Sequence, residues 1–278
     1  MTGVQTCALP IFHNGARYFP EAADALTRFR ARGGTVILVT NAPTTEAGVV
    51  ARLDRLGVPR TAFDRVATSG DVTAAAIVDA GCPPLFTIGP ADDAAIYREA
   101  ASLGPRTPAL VDADTAELAV CVGLDETGPK PEDYDGILHR LRARDLTLIC
   151  ANPDLVVEMG DTLVFCAGAI AERYAALGGR ILYAGKPREA IYARARALAC
   201  DASGRPGTKA RTLAIGDAMR TDIAGAVAEG IRSVLITGGI HRARLHAAGS
   251  PDFSEAAVAQ FLGEHEVRPD ALMPSLTW

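Results

Sequence analysis

Apolar residues in this chain come in short unbroken runs separated by amphipathic stretches. The run VILV at 36–39 is continuous rather than alternating, the pattern of a strand covered on both faces as in a parallel sheet. Ahead of it, EAADALTRFRARGG turns Ala22, Leu26, Phe29 and Ala31 toward one side. Proline at the start and a double glycine at the end predict a short helix there. A second helix is expected over about 46–56. The same grammar returns near the C-terminal end. KPREAIYARARALA predicts a helix, RTLAIG a buried strand, DAMRTDIAGAVAEG a turn and helix, and SVLITGG another buried strand.

Between these flanks the βα alternation continues. LFTIG precedes the helix ADDAAIYREAASLG, ELAVCVGLD precedes PEDYDGILHRLRARD, and LTLICANPD follows. A stretch with a complete set of βα units is an inserted domain rather than a long loop, because structureless excursions of that length are rare. The expected division is therefore an α/β core of Rossmann-like parallel-sheet type over 12–67 and 170–278, with an inserted α/β domain over 68–169. Its junctions fall at ATSGD (67–71) and CAGAI (166–170). The end RPDALMPSLTW is expected to be a tail packed back on the body, through Leu276 and Trp278.

Composition narrows the classes. With 278 residues, 49% of them hydrophobic, the chain can bury a sizeable core, which argues against disorder. A formal net charge of -5, with both signs interspersed, leaves no basic stripe for a nucleic-acid backbone. Six scattered cysteines with no CxxC pair predict reduced, mostly buried thiols in a cytoplasmic protein. No apolar stretch reaches the roughly 20 residues that span a bilayer.

Polar residues gather at the predicted strand ends: Thr40 and Asn41 in VTNAP, Lys186 in AGKP, Asp217 and Asp222 in IGDAMRTD, and the stretch HNG at 13–15. The carboxyl edge of an open α/β sheet is where such folds bind ligands. Two aspartates five apart across a strand-to-helix turn suit a hard cation such as Mg2+, which takes one or two protein carboxylates and keeps waters and a phosphate. A lysine supplies a point charge for a phosphoryl group, and a threonine hydroxyl supplies a directional donor. Each residue alone also has a plain structural reading: Thr40 and Asn41 as turn formers, Lys186 as a solvated helix-start lysine, Asp217 as an N-cap, Asp222 as a first-turn acid. What favours chemistry is that all fall at one edge of one sheet. His139, His246 and His265 are expected at the surface or an interface, and SPD (250–252) and NPD (152–154) as turns. No G-x-G-x-x-G, GxxxxGK[ST] or G-x-S-x-G spacing occurs.

These pieces, in this order, resemble the haloacid dehalogenase superfamily, in its class IIA branch with an α/β cap inserted between the second and third motifs. Thr40 stands where the family has its phosphate-binding Ser or Thr, Lys186 in GKP matches the third-motif lysine, and Asp217 and Asp222 in GDxxxTD match the fourth. HNGARYFPEAADAL is similar to the stretch after the first motif, and VGLDE (122–126) and NPD to cap signatures. The resemblance implies Mg2+-dependent hydrolysis of a small phosphomonoester through an aspartyl-phosphate, in two displacements rather than one. It further implies Asp217 as a direct metal ligand, with Asp222 a ligand or its close support. Lys186 and Thr40 would act on the phosphoryl oxygens, Asn41 would organise the loop, and the cap would close over the site. The expected partner is a small phosphorylated metabolite, with neither nucleic acid nor membrane, and a homo-oligomer is compatible with the pattern. The alternative is a phosphate-binding or regulatory protein on the same scaffold without turnover.

One motif is missing. The family's nucleophilic aspartate belongs a few residues before HNG, yet TCALPIF stands there and no aspartate precedes Asp24. Residues 1–11 carry no charged side chain, against 22% charged residues in the whole chain. With GTG read as the start codon, their back-translation resembles a common sequencing-library adapter. The expectation is that the native first strand was replaced by translated adapter, that the chain as written is inactive in the family reaction, and that Pro10 weakens folding. Recovering the locus from adapter-trimmed reads should restore an aspartate upstream of HNG; persistence of residues 1–11 there would contradict the adapter reading.

Overall fold

The computed structural model describes residues 3–7, 11–13, 17–90, 94–125, 130–159 and 162–278. By its internal contacts the chain forms two compact units. The first comprises Met1–Thr40, Val50–Ala67 and Ile191–Trp278; the second comprises Asn41–Val49 and Thr68–Ala190.

The first unit opens with strand β1 (Gly3–Cys7), helix α1 (Pro20–Ala31) and strand β2 (Val36–Thr40). Helix α1 starts on a proline, whose missing N–H is one that a helix start leaves unpaired anyway, and it buries Ala22, Ala23, Ala25 and Leu26. It stops at two glycines. Gly33 takes a left-handed φ of +83°, and a Cβ on Gly34 would lie 2.1 Å from the Phe29 ring. Every residue of β2 is buried, as the continuous apolar run requires. Its first amide is satisfied by Asp64, whose Oδ2 accepts from Val36 N at 2.8 Å while Oδ1 accepts from Arg30 at 2.6 Å. Helix α2 (Glu46–Arg55) and strand β3 (Arg65–Thr68) follow.

ATSGD, expected as a junction, contains the boundary between the units at Ala67 and Thr68, and forms the end of β3 and the first turn of helix α3 (Ser69–Asp79). Thr68 caps α3 by accepting from Asp71 N at 2.9 Å, and the Asp71 carboxylate accepts from Glu46 N, the first residue of α2. Gly70 is required here because a Cβ would lie 2.2 Å from the Thr44 carbonyl oxygen.

The second unit continues through strand β4 (Leu85–Ile88), helix α4 (Ala94–Leu103), strand β5 (Leu118–Cys121), helix α5 (Asp135–Ala143) and strand β6 (Thr147–Cys150). A hairpin of β7 (Val156–Met159) and β8 (Thr162–Phe165) comes next, then helix α6 (Ala167–Ala176) and strand β9 (Arg180–Tyr183). Its main sheet has the order β4-β5-β6-β9, with each neighbour parallel. The sequence reading ended the insertion at 169 and gave 170–278 to the core. Strand β9 instead pairs with β6 from Thr147↔Arg180 to Cys150↔Tyr183, so the second unit runs on to Ala190. Leu138, Leu141, Leu148, Ile170 and Tyr174 fill its core, and Tyr174 Oη, which burial would otherwise strand, donates to Leu146 O at 2.6 Å. Burial is also the main reason that the Cys150 and Cys166 thiols are pushed up to about 12, so both stay protonated at neutral pH.

The chain then returns to the first unit through helix α7 (Glu189–Ser203), strand β10 (Thr212–Gly216), a π-helical turn (Met219–Ile223), helix α8 (Ala224–Glu229) and strand β11 (Arg232–Ile236). Helices α9 (Arg242–Leu245) and α10 (Glu255–Gly263) and strand β12 (Ala271–Met273) complete it. The sheet order is β12-β11-β10-β1-β2-β3. The C-terminal segment, expected as a packed tail, contributes an edge strand parallel to β11, and Leu276 beyond it is buried.

The place of the first strand, where the sequence predicts a substitute for the native one, is taken by Gly3–Cys7, which pairs in parallel with β2 on one side and β10 on the other. A ladder is made by backbone groups, so a segment with β-branched Val4 and Thr6 can occupy it whatever its origin. Pro10 lies past the end of β1 and, with the NG of HNG and Glu126 of VGLDE, outside the described residues. Among the described residues no helix is long and apolar enough to cross a membrane.

Two histidines of this unit are held largely out of water. Burial, with Arg52 nearby, lowers His13 from 6.5 to about 4; burial, with His265 and Arg244, lowers His241 likewise. The unfolded chain therefore takes up these protons first as pH falls. Stability should decline from about pH 6.5 toward about pH 4 and be insensitive to these groups at higher pH. Melting temperatures measured across that window should fall more gently in His241→Gln, and an unchanged slope would contradict this assignment.

Candidate active site

Each unit carries part of the set expected from the sequence. In the first, β10 ends at Gly216 and Asp217 follows, fully buried, with Asp222 only 1% exposed on the π-helical turn. The turn folds the second carboxylate back on the first residue. Asp222 Oδ2 accepts from Asp217 N at 3.0 Å and from Ala218 N at 3.1 Å. Asp217 Oδ2 in turn accepts from Ile240 N at 2.9 Å, in the loop after β11. Two glycines make these approaches feasible. A Cβ on Gly216 would lie 2.3 Å from Asp222 Oδ2, and one on Gly239 would lie 2.2 Å from Asp217 Oδ2. Met219 and Ile223 anchor the turn from beneath, buried with Leu235, Leu245, Val258 and Phe261.

Thr40 is the last residue of β2 and is buried. The register sets Cys7 beside Val39, and Thr6 beside both Leu38 and Ile215. The row past the strand ends therefore holds Thr40 and Asp217, two strand spacings or ~10 Å apart, with the carboxyl end of β1 between them. Strand β1 ends in Cys7.

In the second unit, buried Asn41 and buried Lys186 meet directly: Lys186 N donates to Asn41 Oδ1 at 2.8 Å. The other end of the Asn41 amide donates from Nδ2 to Asp154 Oδ1 at 3.1 Å. The sequence offers NPD both as a turn and as a cap signature and gives the Asp154 carboxylate no role of its own; its place just past a buried strand is the available signal. Thr237, which follows β11, is engaged in structure. Its Oγ1 pairs with His246 Nε2 at 2.9 Å and donates to Met273 O. His246 is thus buried rather than a surface residue, and His265 is half-buried against Phe261, while His139 is exposed.

Oxygen-only donors on two buried carboxylates match a hard divalent cation that retains water and a substrate oxygen, rather than one in an all-protein cage. Among the described residues no group of three or more His, Cys, Asp or Glu is arranged to hold a metal. The pair of carboxylates fits Mg2+ in kind.

Comparison with known proteins identifies the family. A family model described as haloacid dehalogenase-like hydrolase matches residues 11–101, and one described as HAD-hydrolase-like matches 183–265. The crystal structure of a haloacid dehalogenase-like hydrolase from Brucella suis 1330 is 41% identical, with a TM-score of 0.83 over 99% of this chain and 95% of that one. The chain belongs to the haloacid dehalogenase-like hydrolases. The p-nitrophenyl phosphatase from Archaeoglobus fulgidus has the same fold at 22% identity and a TM-score of 0.74, over 99% of this chain and 96% of that one. A possible sugar phosphatase from Cytophaga hutchinsonii has it at 19% identity and a TM-score of 0.77, over 100% and 94%. A comparison with curated proteins finds no match.

The Asp222 carboxylate serves the hydrolase fold as an acceptor for two amides. Asp222→Ala should cost ~1–3 kcal/mol, because buried donors lose their partner, whereas Asp222→Asn, which keeps an oxygen, should cost less. Equal urea midpoints for the alanine variant and the unmutated chain would contradict this role.

Proposed function

We propose that this chain is built for Mg2+-dependent hydrolysis of a small phosphomonoester. The observation that carries the reading is the pair of buried carboxylates, Asp217 and Asp222, on the turn after β10 in a haloacid dehalogenase-like hydrolase. Asp217 is the expected metal ligand and Asp222 its support, through the two amides that it fixes. Mg2+ bound there would supply charge that offsets the oxygens of the transferring phosphoryl group. By the family resemblance Lys186 would supply a compact positive charge to those oxygens and the Thr40 hydroxyl would donate to one of them, while Asn41 organises the backbone that carries the lysine.

The family reaction also needs a carboxylate at the end of the first strand, to form an aspartyl-phosphate that water then opens. Here β1 ends in Cys7 and no aspartate precedes Asp24. The same observation favours a second reading, in which the chain binds a phosphorylated ligand without turning it over.

Cys7→Asp separates the two. With Mg2+ it should release inorganic phosphate steadily from a panel of small monoesters, and adding Lys186→Ala or Asp217→Asn should lower the rate by about 10²-fold or more. Tight ligand binding by Cys7→Asp with no release would favour the binding protein and contradict the enzyme.

A further inference from the structure

We propose that Asp154 is a positioning residue for Lys186, acting through Asn41; this rests on the reading that Lys186 meets a phosphoryl group. Asn41 is 4% exposed and spends its amide at both ends, accepting from Lys186 N and donating to Asp154 Oδ1. A backbone N–H can only donate and an ionised carboxylate can only accept, so just one orientation of the amide satisfies both partners. Removing the Asp154 acceptor frees the amide to turn, and Lys186 then loses the partner that fixes its backbone.

Asp154 has little else to do. The local turn at NPD is closed by Asn152, whose Oδ1 accepts from Asp154 N at 3.1 Å, which leaves the Asp154 carboxylate to reach a residue 113 positions away. The surrounding backbone is packed to keep it there. A Cβ on Gly168, in the first turn of α6, would lie 2.5 Å from the carbonyl oxygens of both Pro153 and Asp154. One on Gly185 would lie 2.4 Å from Asn41 Oδ1 and 2.7 Å from Pro153 Cδ. Three segments, after β2, β6 and β9, are thus drawn onto one amide, and the residue that closes the set is Asp154.

The test is calorimetric titration of inorganic phosphate, in magnesium chloride, into the full chain and its variants. Lys186→Ala should abolish binding, and Asp154→Ala should weaken it roughly 10-fold. Asp154→Asn, which keeps an acceptor oxygen, should bind nearly as the unmutated chain does. Because alanine at 154 can loosen the turn as a whole, an exchange pair carries the decision. N41D sets two carboxylates against each other and should weaken binding, and N41D/D154N, with donor and acceptor reversed, should recover it. Failure of that double variant to recover, or full binding by Asp154→Ala while Lys186→Ala binds poorly, overturns the positioning role and leaves the functional reading standing. Absence of binding by the unmutated chain, or undiminished binding by Lys186→Ala, overturns the functional reading and this inference with it.

Discussion

Parallel strand order is the constraint from which the rest follows. When β10, β1 and β2 run the same way, the carboxyl end of every strand reaches one edge, and whatever residue follows each strand is delivered there. Asp217 and Thr40 reach that edge in the first unit, as Asn152 and Lys186 do after β6 and β9 in the second. Delivery alone does not fix a side chain. That is done by backbone amides turned onto carboxylates, Asp217 and Ala218 onto Asp222 and Ile240 onto Asp217, and by glycines that let them approach. Gly216 after β10 and Gly239 after β11 are therefore part of the candidate site as much as the acids are.

Strand β1 separates two demands that usually coincide. Its ladders to β2 and β10 ask only for N–H and C=O groups in extended backbone, and Gly3–Cys7 meets them. The proposed reaction asks for a carboxylate at the strand's end, and the residue there is Cys7. A sheet can thus be complete where its reaction is not, and pairing says nothing about catalysis.

Elements with one environment were the ones legible in the sequence. β2, buried throughout, and α1, buried along one side, each carry a pattern that their surroundings impose. Helices α3 and α6 were missed because their first turns are buried nearly all round: Ser69, Gly70, Asp71, Val72, Thr73 and Ala74 in one, Ala167, Gly168, Ile170 and Ala171 in the other. No polar face remained to mark a period. Strand β9 escaped notice for the opposite reason, since RILY at the sheet's edge is half-exposed throughout and resembles a connection. In the candidate site, the acids and the lysine could be named because their order along the chain resembles the family's motifs. Asp154 could not, because its partner Asn41 lies 113 residues away and a turn explains NPD equally well.

The central claim is that the turn after β10 is a divalent-cation site. Crystals grown with Mn2+, whose anomalous scattering locates it without assumption, test this most directly. A peak within coordination distance of the Asp217 carboxylate, absent from Asp217→Asn crystals, is the result that this account predicts. Manganese bound elsewhere, away from the Asp217 carboxylate, would contradict it.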